Sequence, residues 1–243
     1  MNNERNELYA KSLSLLIQKE TVSVAGEKNQ PKFMEFHELL KEMFPTLFAA
    51  AELEDFDGSL LLKWNGKGSG KAPMMFMSHH DVVEAPGEWT YPPFSGQIAE
   101  GKVWGRGTLD TKGSLWAMFQ AAEELMKEGF VPGRDIYFES ARTEETDGAG
   151  ANRISKILRK WGVRFYMTID EGGMMLYDPI GGADGTFAMI GVGEKGCADL
   201  KFIARSDGGH ASTPGKNTPL VRLGKFMAAM EKSSIFDVEL APV

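Results

Sequence analysis

Three short apolar runs in the sequence are each followed by histidine or acidic residues. The clusters are His79-His80-Asp81, Glu144-Glu145 and Asp170-Glu171, and a further acidic residue, Asp110, ends the glycine-rich stretch 105–110. Carboxylates that crowd together repel each other, and a divalent cation relieves that repulsion. Because histidine and carboxylate ligands together suit zinc or a similar first-row metal, these clusters predict a metal site.

Adjacent side chains within the clusters can divide the work of a hydrolytic reaction. One carboxylate of Glu144-Glu145 can bind a metal while the other accepts a proton from a bound water. Alternation along a strand places His79 and Asp81 on the same side, so that Asp81 can hold the imidazole of His79 and fix its tautomer. His80 then points the other way and is not predicted to belong to the site.

Each cluster taken alone also has a simpler structural explanation. His79 could be a core histidine, and Asp110 is well placed to cap the helix that follows it. The acidic pairs after the second and third apolar runs could be solvated turns. The joint placement of the clusters after three apolar runs is what favours a metal site over these alternatives.

The elements predicted around the clusters are strands that alternate with helices. Strands are predicted at 74–78, 135–141 and 164–169, and helices at 112–127, closed by Gly129, and 152–161. This alternation predicts an α/β domain with a largely parallel sheet. Since parallel strands present their carboxyl ends at one edge, the three clusters are expected to meet there.

The sequence patterns in the rest of the chain predict further helices and strands, and the pattern of apolar residues changes near Gly193. The predicted spans are helices at 6–19 and 33–43, strands at 58–64, 186–192 and 198–204, and a helix at 219–232. The strand at 198–204 alternates apolar and polar residues, unlike the earlier ones. We therefore predict one domain over 1–193 and the beginning of a second over 194–243.

The glycine-rich stretch 65–71 raises an alternative hypothesis, that of a phosphate-binding loop. Its sequence, NGKGSGK, does not have the spacing GxxxxGK[ST], and strands are predicted on both sides instead of a strand and a helix. A hairpin loop is the favoured interpretation.

Composition excludes several classes of partner. The 243 residues are 42% hydrophobic and 25% charged with a formal net charge of -7, and no basic run is present, which argues against DNA, RNA and anionic membranes. The one cysteine, Cys197, allows neither an intrachain disulfide nor a CxxC metal knuckle. Neither a secretory signal nor an apolar run of about 20 residues is evident, so a cytoplasmic location is predicted.

Five motifs in register over nearly the whole chain carry a resemblance to a known family. They are Ser78–Val83 (SHHDVV), Trp104–Gly113 (WGRGTLDTKG), Thr143–Glu145 (TEE), Asp170–Gly173 (DEGG) and Gly209–Ser212 (GHAS). The sequence resembles the metallopeptidases that include aminoacylase, acetylornithine deacetylase, succinyl-diaminopimelate desuccinylase and carboxypeptidase S. The stretch Trp89–Gly96 looks closest to the carboxypeptidase S and N-acyl-amino-acid hydrolase branch. The resemblance implies a three-layer zinc-exopeptidase-like α/β domain, followed by the start of an α+β lid or dimerisation domain.

The resemblance also implies roles for individual residues. Two zinc ions, which Co²⁺ or Mn²⁺ could replace, would be held by His79, Asp110 as the bridge, Glu145, and one of Asp170 and Glu171, with Asp170 preferred. The resemblance implies that Glu144 is the general base and that Asp81 orients His79. It also implies that His210, in the lid domain, holds the carbonyl oxygen or carboxylate of the substrate. The Asp110–Thr111 peptide bond is expected to be cis.

The implied activity is metal-dependent hydrolysis of an amide bond in peptides or N-acyl amino acids, with a possible homodimer through the lid domain. The family pattern also needs a zinc-binding histidine late in the chain. None of the four histidines, His37, His79, His80 and His210, occupies that position. Weak occupancy of the second metal site is therefore expected. The alternative is a catalytically impaired truncated relative, acting as a binding module, or a fragment of a longer enzyme.

Overall fold

The computed structural model describes residues 3–26, 31–68, 70–179, 181–182, 184–193, 200–210, 212–213 and 215–233. The chain divides into two compact units, Met1–Glu171 and Gly172–Val243. The sequence-based domain boundary near Gly193 lies 21 residues beyond the start of the second unit and stays a prediction.

The first unit contains five helices and seven strands among its described residues. The helices are α1 (Asn3–Ile17), α2 (Pro31–Met43), α3 (Pro45–Ala50), α4 (Lys112–Lys127) and α5 (Ala149–Lys160). The strands are β1 (Glu52–Asp55), β2 (Leu60–Trp64), β3 (Met74–Met77), β4 (Gln97–Ala99), β5 (Lys102–Trp104), β6 (Ile136–Ser140) and β7 (Met167–Ile169).

Five of these strands form the central sheet in the order β1-β2-β6-β3-β7. The pairs β6·β3 and β3·β7 are parallel, whereas β1·β2 and β2·β6 are antiparallel. The predicted mixed α/β class is confirmed, and its parallel part consists of the three strands that precede the acidic clusters. Their carboxyl ends therefore lie at the same edge of the sheet.

Helices cover both faces of the sheet and make three layers. On one face, Phe36 of α2, Phe119 of α4 and Phe44, which lies between α2 and α3, pack with Leu62 and Phe138 of the sheet. On the other face, Ile154 and Leu158 of α5 pack on the side chains that alternate with these, including Leu61 and Tyr137. Because each buried side chain of this size stabilises the fold by about 1.5–3 kcal/mol, the two clusters hold the strand ends firmly in place.

Several predicted elements are confirmed. Helix α4 begins at Lys112 and ends at Lys127 as the apolar stripe predicts, and Gly129 with φ 77° follows it. The amides of Gly129 and Phe130 bond to the carbonyls of Met126 and Leu125, which is the pattern of a glycine-capped helix end.

Two local predictions are wrong. The stretch 65–71 is not the turn of a hairpin, because β2 and β3 are not neighbours and β6 lies between them. Residues 200–204 contain no strand in the structure, while 194–199 lie outside the described residues. Within the first unit, the sequence analysis also missed the short elements α3, β1, β4 and β5, which lack a long periodic pattern.

The second unit contains an antiparallel pair and one helix among its described residues. The pair joins β8 (Met174–Tyr177) to β9 (Thr186–Met189), and the helix is α6 (Pro219–Lys232), which begins and ends where the sequence predicts. The rings of Phe202 and Phe226 lie 4.4 Å apart. Across both units, no described helix combines the length and the apolar character needed to cross a membrane.

Candidate metal centre

His79 lies at the carboxyl end of β3 and is the centre of the candidate site. Its side chain is 2% exposed. Nδ1 contacts the backbone oxygen of Asp81 at 2.9 Å. Nε2 faces three carboxylates, at 2.9 Å from Asp110 Oδ1, 3.3 Å from Glu171 Oε1 and 3.7 Å from Glu144 Oε2. The expected meeting of the clusters at one sheet edge is therefore present within the first unit.

Two overlapping groups of side chains could each hold a metal ion. One contains His79, Glu144 and Glu145, and the other contains His79, Asp110 and Glu171. Within each group, the potential ligand atoms lie within 4.8 Å of one another. Both groups use the same imidazole, which can bind only one of two ions.

The structure separates the two acidic residues that follow β7. Glu171 belongs to a ligand group, whereas Asp170 belongs to neither of the groups found among the described residues. The Asp170 carboxylate instead accepts a hydrogen bond of 2.9 Å from the backbone amide of Glu171. The geometry thus favours Glu171, although the sequence resemblance prefers Asp170, and the assignment stays a prediction.

Asp81 lies behind the ligands and is fully buried. Its Oδ1 is 3.4 Å from His79 Nδ1, which fits the predicted orienting role. The same carboxylate accepts hydrogen bonds of 3.2 Å from the amides of Glu144 and Glu145. Ser23 Oγ donates a further bond of 2.5 Å to Asp81 Oδ2. The sequence analysis missed the amide contacts and Ser23, because Ser23 lies 58 residues away and belongs to no recognised motif.

The loop that carries Asp110 is held by its neighbours. The N-cap residue of α4 is Thr111, so the helix-cap explanation of Asp110 is wrong. The Asp110–Thr111 peptide bond is cis, as predicted. Ser78 Oγ donates to the Thr111 carbonyl at 3.0 Å, and the buried Lys112 Nζ donates to the Lys19 carbonyl at 2.6 Å. The side chain of Asp110 itself is 68% exposed, and its Oδ1 lies 2.9 Å from His79 Nε2.

Gly107 is required by the close packing of this loop. Its φ is 86°, in the left-handed region, and a Cβ at this position would lie 2.8 Å from Val82 Cγ1. Any other residue would push the loop away from the strand end that carries Asp81.

The site carries more negative charge than its own residues neutralise. Burial lowers the pKa of His79, but hydrogen bonding to Asp81 and the nearby Glu171 carboxylate outweigh burial and raise that pKa to about 10. Burial raises the pKa of Glu145, and the Asp110 carboxylate raises it further. Burial also raises the pKa of Glu171. A divalent cation would replace the proton on His79 and compensate the carboxylates, so these residues fit a metal ion.

His80 points away from the ligands, as alternation along the chain predicts. It is buried against the ring of Phe36, with the centroids 5.3 Å apart, and its Nδ1 is 2.8 Å from Ser140 Oγ. Its Nε2 lies 3.4 Å from Nε2 of the buried His37. Burial lowers the pKa of both histidines.

His210 belongs to the second unit. Its Nδ1 lies 2.7 Å from Ser212 Oγ, and its side chain is exposed. Its predicted contact with substrate stays a prediction.

The three-layer fold and the cluster around His79 define a class of protein, an α/β domain with a carboxylate-rich candidate site for divalent metal ions at the ends of its parallel strands. The chain belongs to peptidase family M20/M25/M40, whose family model matches residues 75–232.

Curated relatives support the same placement. The chain is 36% identical to the N-fatty-acyl-amino acid synthase/hydrolase PM20D1 of Homo sapiens over 222 residues, which is 89% of this chain and 44% of that protein. It is 34% identical to carboxypeptidase S of Saccharomyces cerevisiae over 218 residues, 85% of this chain and 37% of that protein. The chain thus spans less than half the length of these relatives.

Solved structures show the same fold. Human carnosine dipeptidase 1 matches with a TM-score of 0.55 and 19% identity, over 72% of this chain and 41% of that one. An M20 family metallo-carboxypeptidase of Sulfolobus solfataricus matches with a TM-score of 0.55 and 24% identity, over 71% and 38%.

Proposed function

We propose that the protein hydrolyses an amide bond in peptides or N-acyl amino acids in a metal-dependent reaction. The observation that carries the proposal is the pairing of Glu144 and Glu145 beside His79, with both glutamate amides held by Asp81. A carboxylate next to a metal ligand is the arrangement that a metal-assisted hydrolase needs. Membership of the peptidase family supports the same reaction class.

The residues proposed to hold the metal are His79, Asp110, Glu145 and Glu171, with Asp170 as the alternative to Glu171. Zinc suits this mixture of nitrogen and oxygen ligands, and Co²⁺ or Mn²⁺ would suit it as well. When bound, the metal would supply Lewis-acid polarisation of the amide carbonyl and of the attacking water. Two ions are proposed, with weak occupancy of the second.

Glu144 is the proposed general base. Its side chain is 52% exposed, so a water molecule can reach it, and its amide is fixed by Asp81. The carboxylate would take a proton from the attacking water and return it to the leaving amine. Asp81 has no access to substrate because it is fully buried, so its proposed role is to orient His79 and the two glutamates.

The proposed substrate class follows the relatives, one of which is named as an N-fatty-acyl-amino acid synthase/hydrolase and another as a carboxypeptidase. His210 is proposed to hold the carbonyl oxygen or carboxylate of the substrate. A homodimer through the second unit and a cytoplasmic location are further proposals.

A second candidate function is a binding module with impaired catalysis, or one piece of a longer enzyme. The shared use of His79 by both ligand groups favours this candidate. One imidazole nitrogen binds one ion, so a second ion in the described cluster would rest on carboxylates alone.

The experiment that tests the proposed reaction uses Glu144→Ala on the zinc-loaded chain with N-acyl amino acids and dipeptides. Loss of the general base should lower turnover by about 10²–10⁴-fold while bound zinc, measured by elemental analysis, is retained. Glu128→Gln, at an exposed position after α4, is the matched control and should keep full turnover. Unchanged turnover in Glu144→Ala would contradict the mechanism, and absence of turnover in the wild-type chain would favour the binding module.

A further inference from the structure

A hydroxyl group from the N-terminal part of the chain contacts the carboxylate behind the candidate metal centre. Ser23 lies in the segment 19–23 that follows α1, and its Oγ is 2.5 Å from Asp81 Oδ2. The acceptor is fully buried. A hydroxyl donating to a buried carboxylate makes a short, charge-assisted hydrogen bond, which is stronger than a bond between neutral groups.

The backbone around Ser23 is held on the strand end that carries the ligands. Val22 and Val82 form a parallel bridge. Ser23 donates its amide to the Val82 carbonyl at 3.1 Å, and Val82 donates to the Thr21 carbonyl at 3.0 Å. Thr21 Oγ1 also donates to the His80 carbonyl at 2.5 Å. Because these bonds fix the segment, Ser23 Oγ has a set position relative to Asp81.

The two carboxylate oxygens of Asp81 have different hydrogen-bond partners. Oδ1 faces His79 Nδ1 at 3.4 Å and accepts the Glu144 amide at 3.2 Å. Oδ2 accepts the Glu145 amide at 3.2 Å and the much shorter bond from Ser23. The serine hydroxyl therefore supplies the tightest contact that prevents rotation of this carboxylate. A rotated carboxylate would release the imidazole of His79 and the backbone of both glutamates together.

We propose that Ser23 is a positioning residue that acts through Asp81 on His79, Glu144 and Glu145. It does not touch substrate or metal. The proposal rests on the proposed metal-dependent function, because it concerns the alignment of the same ligands and base. Outer partners of metal ligands set metal affinity, and their loss typically lowers affinity about 10–100-fold.

The space around Ser23 permits a conservative rescue. Ser23, Val22 and Phe33 line a cavity of about 200 Å³. A threonine at position 23 keeps the hydroxyl and can place its additional methyl group in that cavity. Ser23→Thr should therefore restore what Ser23→Ala removes.

The test measures zinc dissociation by competition with a chromophoric chelator, and amide turnover separately, on the full chain. Ser23→Ala should raise the dissociation constant for zinc about 10–100-fold and lower kcat, with little change in KM. Ser23→Thr should return both quantities to within a few-fold of wild type. Ser14→Ala is the matched control, because Ser14 Oγ is also buried but donates to the Gly96 carbonyl at 2.6 Å, remote from Asp81.

The outcomes separate this proposal from the proposed function. Unchanged zinc affinity in Ser23→Ala, or an equal loss in Ser14→Ala, would overturn the positioning role while leaving amide hydrolysis intact. A loss of affinity rescued by threonine in a chain without turnover would support the positioning role and overturn the hydrolase. A wild-type chain that binds no zinc would overturn both.

Discussion

Two buried carboxyl groups near the strand ends have opposite surroundings. Asp81 accepts hydrogen bonds from Ser23 and from the amides of Glu144 and Glu145. Glu139, the fourth residue of β6, is 2% exposed, and its Oε1 has no hydrogen-bond partner among the described residues. A buried carboxylate without donors is unstable as an anion, so Glu139 is held in its protonated form.

The protonation of Glu139 predicts a pH dependence of stability. Burial, with a smaller contribution from the Asp170 carboxylate, raises the pKa of Glu139 from 4.5 to about 8. The folded chain then binds more protons than the unfolded chain between these values. The stabilising effect is complete below about pH 4.5 and is lost as pH rises through about 8, with a slope of at most about 1.4 kcal/mol per pH unit.

Urea unfolding of the metal-free chain between pH 5 and 8 checks this expectation against Glu139→Gln. The glutamine variant keeps the shape of the side chain and cannot ionise, so its stability should fall less with pH than that of the wild type. A difference in unfolding free energy that is the same at every pH would contradict the shifted pKa.

At the scale of elements, one buried lysine ties α1 to α4. Lys112 is the first residue of α4 and is fully buried. Its Nζ donates to the carbonyl of Leu16, in the last turn of α1, at 3.2 Å and to the carbonyl of Lys19, just beyond the helix, at 2.6 Å. These bonds join the loop of Asp110 to the segment 19–23, so two of the loops around the metal centre share one anchor.

Lys112→Met should lower the free energy of unfolding by about 1–3 kcal/mol, because it removes the hydrogen bonds to the Leu16 and Lys19 carbonyls, which then keep only their backbone amide donors. The methionine variant also avoids the free-energy cost of burying an amine, which partly offsets this loss. Urea unfolding measures the change. Lys11→Met, an exposed position on α1, is the control and should have a stability within about 0.5 kcal/mol of wild type. Equal stability of Lys112→Met and wild type would show that the lysine anchor contributes nothing.

At the scale of the whole molecule, the first unit leaves part of one sheet face and the β7 edge accessible. A groove of about 860 Å³ lies beside α5, and Met75, Met77, Phe165 and Glu139 are among the residues that line it. The outer strand β7 is exposed along its length, with Met167 at 42% and Ile169 at 40% exposure. Helix α5 alone therefore does not enclose this face in the described part of the chain.

The number of zinc ions bound per chain tests whether the candidate metal centre holds one ion or two. Because His79 serves both ligand groups, we expect zinc titration with elemental analysis to give one tightly bound ion per chain and a second that is lost on desalting. His79→Ala should abolish tight binding, whereas His210→Ala in the second unit should retain it. Two equally tight ions would mean that the described ligands suffice without a further histidine.

The sequence by itself determined the family and the mixed α/β class, and it predicted the candidate metal site and its chemistry. Clusters after apolar runs are read from local order, and their meeting at one edge follows from parallel pairing of β3, β6 and β7. Helices α4 and α6 were also predictable to the residue, because their stripes and capping residues are local signals.

Only the tertiary structure decided which distant residues touch. The position of β6 between β2 and β3 and the contact of Ser23 with Asp81 join segments that are far apart in sequence. The presence of Glu171, and not Asp170, in a ligand group depends on the direction of the side chains. Strand order and such contacts follow from the packing of the whole core and leave no periodic trace in the chain. For the same reason, the carboxylates of the candidate metal centre could be proposed as a set from the sequence, whereas the hydrogen bonds that hold them in place could not.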